Sequence, residues 1–545
     1  MTAGSENSAS VQPERVDTLA GVIAAAAVAN PDAAALVSRD ETVTFGELSR
    51  RVDRLACSLI GRGIRPGDCV GVLLNSSIDF VVAFAAVLRS GAVLAPLNVK
   101  HKARELRYCL KHADVAAAIV GPEFIGVFEG VRDDVASLES VLLLGDAPLP
   151  SGWIEGSSAA NEEKIDLASV DVTPDDDALM FFTSGTTGQP KGVVCTHRNC
   201  LAAIDSWIDA LAMTARTRSM MVTPYFHNAF NAFVFAPLRV GGSSVVLEGF
   251  QLKTLFHRIE RDRPSLLFAT PSIYIAMLAY AERRPVVLGS IDTAVYGAAP
   301  MPPPTIRALP PLLPGAGLFN AYAQSETCPA ISYLRPEFAL KKLGSVGKAV
   351  PGVEIAVLDD GGEPLPAGEV GEICVRGANV MKGYHKQPER TAEKLTGSWL
   401  RTGDLGYLDS DGFLFLVDRK DDMIISAGET FYPSDVEELV RSMPGVHDVS
   451  VVGVPHRVKG KVPAAFVVAG EASALDGDAV RAHCIEHLAD IKVPRFVEFV
   501  DELPRNASGK VIKQQLLLIW DEHHRTHDRD SALGDRAGSG AGGEA

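Results

Sequence analysis

The sequence predicts an α/β protein: a large amino-terminal domain of layered α/β lobes plus a β-rich lobe, followed by a small α+β carboxy-terminal domain. Three observations carry this expectation. From residue 18 to about 150, helical and extended stretches alternate, as in layered architectures with largely parallel strands. Around residues 350–417 the pattern shifts to short strands punctuated by Gly/Asp turns such as Asp359-Asp360-Gly361-Gly362. After Asp418 the pattern restarts, with helix and strand enough for a separate domain of about 100 residues. At 545 residues the chain is also too long for a single core.

In chain order, the Ala-rich run from Leu19 to Ala29 reads as a buried helix, N-capped by Asp17 or Thr18 and stopped at Asn30-Pro31. It is too short to span a bilayer. A strand at Val43-Thr44 leads into a helix reaching about Arg62, Asp68–Leu74 reads as a strand, and Ser77–Arg89 as an apolar helix. Helix is expected over 199–213 and strand over Ser219–Pro224 and Ser243–Glu248. The β-rich region is expected to use Val353–Leu358 and Val370–Arg376. The last domain is expected to hold helices at 434–442 and 475–489, and strands at 448–454, 464–468 and 496–500. Beyond about 521 the chain has almost no apolar residues and is expected to be a disordered tail. Gly538–Gly543 fits G-x-G-x-x-G there, but with no strand before it and no helix after it the match is a flexible end. His523, His524 and His527 have metal-like spacing without thiolate or carboxylate company, and are not read as a metal site.

Composition is that of a globular protein, 47% hydrophobic and 22% charged, and the net charge of −16 argues against nucleic-acid binding. The eight cysteines are scattered without a C-x-x-C pair, which suits reduced thiols better than disulfides or zinc. No signal peptide is visible before Asp17, so a cytoplasmic protein without a membrane span is expected.

The stretch that organises the chain is Thr183-Ser184-Gly185-Thr186-Thr187-Gly188-Gln189-Pro190-Lys191-Gly192, set between the strand-like runs Ala178–Phe182 and Val193–Thr196. Small hydroxyl residues and glycines let backbone N–H groups and side-chain hydroxyls curl around an anion, and Lys191 adds positive charge. This reads as a phosphate loop rather than a polar turn. No Walker A spacing fits it.

With the segments that follow, the loop resembles the adenylate-forming enzyme superfamily, and specifically its acyl-CoA synthetases, over about residues 18–517. Six separated motifs occur in the family's order. The resemblance implies that Thr183, Ser184, Gly185, Thr186, Thr187 and Lys191 cradle the ATP phosphates. Pro224-Tyr225-Phe226-His227 resembles the segment whose histidine, here His227, lines the acyl pocket. Tyr296-Gly297-Ala298-Ala299-Pro300 resembles the segment lying along the adenine and the acyl group. Asn320-Ala321-Tyr322-Ala323-Gln324-Ser325-Glu326 is similar to the adenine and metal motif. Tyr322 is expected to stack on adenine, and Glu326, with Thr187, to hold Mg²⁺. Ala323 departs from the family's glycine, where a backbone closely approaches a ligand. Gly371–Tyr384 and Gln387–Thr391 match a mostly structural segment. Asp404 is expected to bind the ribose, Arg419 to contact it, Asp421 to be the hinge of the small domain, and Gly428 to border the pantetheine channel. Lys510, in Leu503–Lys510, is expected to meet the carboxylate and α-phosphate.

The function the resemblance implies is ATP-dependent ligation of a hydrophobic carboxylic acid to CoA through an acyl-AMP, by a domain of residues 1–417, a hinge at 418–421 and a mobile domain at 422–520. Alternatives are transfer from a supplied acyl-adenylate with weak adenylation, delivery to a carrier-protein thiol, or a non-catalytic nucleotide-binding regulator. A homodimer stays open. The basic strip His456-Arg457-Val458-Lys459-Gly460-Lys461, where relatives are acidic, is expected to meet the CoA phosphates.

Overall fold

In a computed structural model, residues 16–156, 165–183, 190–426, 429–456, 460–470, 475–505 and 510–524 are described, and they form three sheets. The expected hairpin is present: Asp177–Thr183 and Lys191–Thr196 pair antiparallel, with Thr183 opposite Lys191. It lies in an eight-stranded sheet of spatial order 383–384, 191–196, 177–183, 93–96, 69–73, 115–120, 140–143, 154–155. From 177–183 outward every pairing is parallel. Helices cover the faces of such a sheet, so its inner strands read as continuous apolar runs, as Cys69–Leu73 does with every residue buried.

Local chemistry sets where the helices begin. Thr44 and Ser77 start helices Phe45–Ile60 and Ile78–Arg89 by accepting from the N–H of Glu47 (3.2 Å) and Phe80 (3.1 Å), which satisfies donors that a helix end otherwise orphans. Thr196 and Asn199 cap each other's N–H at 3.1 and 3.0 Å, starting helix His197–Ala210 directly after the hairpin.

The second sheet runs 353–358, 371–377, 399–408, 414–419, 345–349, 332–334, 317–322, 293–297, 266–269, 218–221, 243–245, 34–37, 42–44, with a short strand at 395–396 on its side. The β-rich stretch is thus hydrogen-bonded onto the α/β lobe, because Ser345–Ala349 pairs with both Ser332–Leu334 and Leu414–Arg419. The third sheet holds 429–431, 424–426, 460–469, 446–456 and 496–499. Its two faces follow the period of a strand. Val449, Val451, Ala465 and Val467 pack under helices Pro433–Arg441 and Gly477–His487. Val452, Val454, Val462, Ala464 and Phe466 instead face Leu503 and Leu516.

Two elements differ from expectation. The run Leu19–Ala29 is a short 3-10 turn, Leu19–Gly21, followed by helix Val22–Ala29. Only its start is buried, and Val28 is 86% exposed. Neither proposed cap side chain bonds the helix; the N–H of Leu19 donates instead to His197 Nδ1 at 3.2 Å. At the other end, Lys513–His524 is a helix that covers the second face of the small sheet and enters the stretch expected to be a tail. Glu498 gives His523 and His524 the carboxylate company that the sequence did not show, at 3.3 and 3.6 Å. His527 lies outside the described residues. None of the eight cysteines is in a disulfide. Among the described residues no helix is long and apolar enough to cross a membrane.

His197 carries a consequence for stability. Burial pushes its pKa down to about 4 against the weaker opposing pull of Asp176 and Asp177, and its Nδ1 must stay unprotonated to accept from Leu19. The unfolded chain takes a proton near the ordinary value of about 6.5, the folded chain only near 4. Stability is therefore full above that ordinary value and lost as pH falls toward 4, by about 3 kcal/mol for this group. Denaturant unfolding of the wild type and His197→Gln across this window checks it: the variant is expected to be less stable at pH 7 and to show a shallower acid loss.

Candidate active site

The second sheet places Asp404 and Arg419 directly opposite one another on neighbouring strands. Arg419 Nε lies 2.9 Å from Asp404 Oδ1. The other carboxylate oxygen, Oδ2, accepts from Tyr322 OH at 2.5 Å and Gln324 Nε2 at 2.6 Å. Thr402 Oγ1 accepts from the Asp404 N–H at 3.0 Å, fixing the turn from which the carboxylate projects. Asp404 and Tyr322 are both buried. Burial and the neighbouring carboxylate raise the Tyr322 phenol well above its ordinary value, so it stays a donor. Burial alone would lower the Arg419 pKa, but Asp404, Tyr322, Glu326 and Asp422 together outweigh it and the pKa rises.

Lys510 comes to this cluster from the small domain. It keeps contact with solvent, yet desolvation by the surrounding protein and the charge of Arg419 lower its pKa, while Asp404 and Asp422 oppose that shift. A cation and a carboxylate remote in sequence thus share one electrostatic environment. The neighbouring Lys513 is raised, with Asp422 3.3 Å from its Nζ.

A second group gathers at the hairpin. Lys191 Nζ lies 5.1 Å from the centre of the Tyr384 ring, and Tyr384 OH donates to Glu326 Oε1 at 2.9 Å. Strand Gly383–Tyr384 pairs with the hairpin, and the Met381 N–H donates to the Glu326 carbonyl at 2.9 Å. With one carboxylate oxygen held by Tyr384, Glu326 keeps the other for a hard cation. Mg²⁺ takes carboxylate oxygens, so Glu326 fits the ion that the sequence implies.

The strands that carry Gly297 and Ala321 are neighbours in the second sheet. The two residues are register partners, and a Cβ on Gly297 would lie 2.6 Å from the Ala321 carbonyl oxygen, so only glycine fits. Ala298 follows with φ of +67°, a left-handed conformation that a side chain rarely adopts; Ala299 is exposed beside it. Ala323 has no such φ, so its extra methyl costs no backbone strain. Asn320 turns away from the cluster, its Nδ2 donating to the Ser345 carbonyl at 3.0 Å. Ser325 Oγ accepts from Asn228 Nδ2 at 3.1 Å, bringing the segment after His227 against the Glu326 turn. His227 Nδ1 accepts from the Ala229 N–H at 3.2 Å, and burial lowers its pKa to about 4, so the ring is neutral.

Ser184, Gly185, Thr186, Thr187 and Gly428 lie outside the described residues, as does the side chain of Asp421. The backbone of Lys420–Asp422 forms a 3-10 turn between the second and third sheets. Tyr384, Gln324 and Asn228 join the site without having been singled out by sequence. For Tyr384 the available signal was the pair Gly383-Tyr384 within a segment read as structural.

Comparison with known proteins gives the same picture along the chain. The family model described as AMP-binding enzyme matches residues 23–385, and that of the AMP-binding enzyme C-terminal domain matches 435–510. A feruloyl-CoA synthase of an Amycolatopsis species is 36% identical over 488 residues, covering 89% of this chain and 96% of that protein. The 3-[(3aS,4S,7aS)-7a-methyl-1,5-dioxo-octahydro-1H-inden-4-yl]propanoyl:CoA ligase of Mycobacterium tuberculosis is 35% identical, covering 89% and 96%. Among solved structures, the o-succinylbenzoate CoA synthetase of Bacillus subtilis, in complex with its acyl-adenylate intermediate, superposes with a TM-score of 0.79. It is 31% identical and covers 91% of this chain and 97% of that one.

Tyr384→Phe removes a charge-assisted hydrogen bond from Glu326, an interaction worth about 1.5–3 kcal/mol. It is expected to raise the Mg²⁺ concentration for half-maximal ATP-dependent activity about tenfold, with the circular dichroism spectrum unchanged. Magnesium titrations of both proteins check this; identical curves would remove Tyr384 from the metal site.

Proposed function

The chain belongs to the AMP-binding enzyme family and is an AMP-forming acid–CoA ligase, and we propose that its acid is a bulky hydrophobic carboxylate. The acid attacks the α-phosphate of ATP, giving acyl-AMP and pyrophosphate; the CoA thiol then attacks the acyl carbonyl, giving acyl-CoA and AMP. The observation that carries this reading is the convergence of Tyr322, Gln324 and Arg419 on Asp404, with Lys510 in the same field.

Each described residue has a role that its environment supports. Asp404 accepts the ribose hydroxyls, as a carboxylate with two oxygens can, Arg419 contacts the same sugar, and Tyr322 offers its ring to adenine. The Lys510 ammonium stabilises the charge that builds between acid and α-phosphate. The loop hydroxyls of Ser184, Thr186 and Thr187, with Lys191, hold the outgoing pyrophosphate. Glu326 and Thr187 would hold Mg²⁺, which would supply neutralisation of phosphate charge when bound. Neutral His227 borders the acyl group without adding a charge to an apolar pocket. The small domain turns at Asp421 between the half-reactions, withdrawing Lys510 and admitting CoA along Gly428, a gating step of the kind that can limit turnover.

Two features support a bulky apolar acid. Next to His227, Tyr225 and Phe230 join Phe80 and Phe84 in a packed aromatic cluster, with ring centres 4.6–5.8 Å apart. Ala229, Ala298 and Ala299 carry only methyl side chains, and Ala298 and Ala299 are exposed. Relatives named for feruloyl and for a bicyclic propanoyl group are ring-bearing examples of such acids. For CoA, Lys461 is exposed at the start of strand Gly460–Ala469, an inner strand of the small sheet, and Lys459 lies outside the described residues; their charge supports an electrostatic contact with the nucleotide phosphates.

Incubation with Mg·ATP, CoA and a panel of hydrophobic acids, followed by mass spectrometry, is expected to yield acyl-CoA, AMP and pyrophosphate. Acyl-CoA formed only from short polar acids would overturn the substrate class. Lys510→Ala is expected to lose acyl-AMP formation at least about 100-fold, while still transferring a supplied acyl-adenylate to CoA; equal loss of both steps would contradict the assigned role. Because the Lys510 pKa is lowered and its protonated form is needed, acyl-AMP formation is expected to fall with rising pH before the ordinary lysine value of 10.5 is reached. Stopped-time assays of acyl-AMP against pH read this limb, which should move upward in Lys510→Arg. Replacing Lys459 and Lys461 by alanine is expected to raise the KM for CoA several-fold at constant kcat.

A further inference from the structure

Two thiols five residues apart and a third remote in sequence meet beside the candidate active site. Cys195 lies on the hairpin strand Lys191–Thr196, Cys200 on the helix His197–Ala210, and Cys328 just after the turn Ser325–Thr327. All three are fully buried, and their sulfurs lie within 4.8 Å of one another. Cys328 is held in a left-handed backbone conformation, φ +58°, with its N–H bonded to the Ser325 carbonyl at 3.1 Å. Cys195 Sγ lies 3.8 Å from that same carbonyl oxygen. Helix and loop are tied rigidly: Trp207 Nε1 donates to the Pro329 carbonyl at 2.9 Å, and Asn379 Nδ2 donates to the Thr327 carbonyl at 2.9 Å. The triad is therefore preorganised by its surroundings and is accounted for by no step of the ligase reaction.

We propose that Cys195, Cys200 and Cys328 form a three-coordinate binding site for a soft monovalent cation, copper(I). Metal–thiolate bonds of about 2.3 Å in a trigonal plane place the sulfurs about 4 Å apart, a spacing this triad can meet. Among the described residues these three are the one group of His, Cys, Asp and Glu side chains close enough to share an ion, and no fourth such ligand joins them. Zinc prefers four ligands, whereas sulfur-only sites select soft ions such as copper(I). Thiolate is the ligating form, so each sulfur that bonds copper(I) releases its proton to solvent, and uptake is accompanied by proton release. The site joins the strand that carries Lys191 to the turn that carries Glu326, so loading is expected to slow acyl-AMP formation.

The test is an anaerobic titration of the full-length reduced protein with copper(I) against a chromogenic chelator. One equivalent is expected to be withdrawn from the chelator, with sulfur-to-copper absorption appearing in the near ultraviolet. Cys200→Ser and Cys328→Ser are each expected to weaken uptake at least 100-fold, while Cys57→Ser, outside the triad, retains it. Acyl-AMP formation should fall on loading in the wild type and stay constant in Cys200→Ser. No withdrawal by the wild type, equal withdrawal by both triad variants, or preferential uptake of zinc would each overturn the proposal. The wild-type and Cys57→Ser titrations decide it even if a triad variant fails to fold.

Discussion

The carboxylate of Asp404 is the constraint on which the candidate site depends. A buried negative charge is tolerated only when it is paired and hydrogen-bonded, and here Arg419, Tyr322 and Gln324 meet that need from two further segments of the second sheet. The sheet register brings Asp404 and Arg419 face to face. The 317–322 strand delivers Tyr322, and the turn after it delivers Gln324. Each partner is thereby fixed in orientation before any nucleotide arrives, and such preorganisation is what an electrostatic active site requires.

Around this hub the fold connects the hairpin of residues 177–196 to the turn that carries Glu326 by repeated bonds. The helix that begins at the Thr196–Asn199 capping box holds the chain after Glu326 through Trp207, and holds Pro351 through Ser206. Strand Gly383–Tyr384 adds to the hairpin and sends Tyr384 to Glu326. Lys191, Tyr384 and Glu326 therefore form a continuous polar path from the loop to the carboxylate expected to hold Mg²⁺. The small domain contributes Lys510 across its boundary. Only a short turn, Lys420–Asp422, separates its sheet from the larger one, a connection short enough to act as a pivot while Asp418, at the end of the larger sheet, caps the Ser434 N–H at 3.1 Å.

Much of this was legible in the sequence because it is local. The hairpin showed as two apolar β-favouring runs around a loop dense in Gly, Ser and Thr. The helix after Thr44 showed as a run following a strand, and Ser77–Arg89 as an apolar run. The small domain showed as a renewed alternation after Asp418. Long-range pairings were not legible. Tyr384 lies in a segment that reads as structural, and its role comes from joining a strand nearly two hundred residues earlier in the chain. Gln324 occupies a variable position of its motif, and its contact with Asp404 appears only when sheet strands are aligned. The cysteine triad has no spacing rule that links 195, 200 and 328, since the third member arrives through tertiary packing. The helix Lys513–His524 was missed because its apolar run Leu516–Trp520 merges into a polar tail, and its amphipathic purpose is set by the exposed face of the small sheet.

The central claim is that Asp404 organises nucleotide recognition, with the ribose replacing part of the hydrogen bonding that Tyr322 and Gln324 supply to it. The most direct measurement is equilibrium binding of a non-hydrolysable acyl-adenylate analogue to the wild type and to Asp404→Asn, both shown to be folded by circular dichroism. The account predicts binding weaker by about 100-fold in the variant, the loss of charge-assisted hydrogen bonds to two sugar hydroxyls at about 1.5 kcal/mol each. Equal affinity in the two proteins would contradict it, and would mean that the nucleoside is held elsewhere in the cleft.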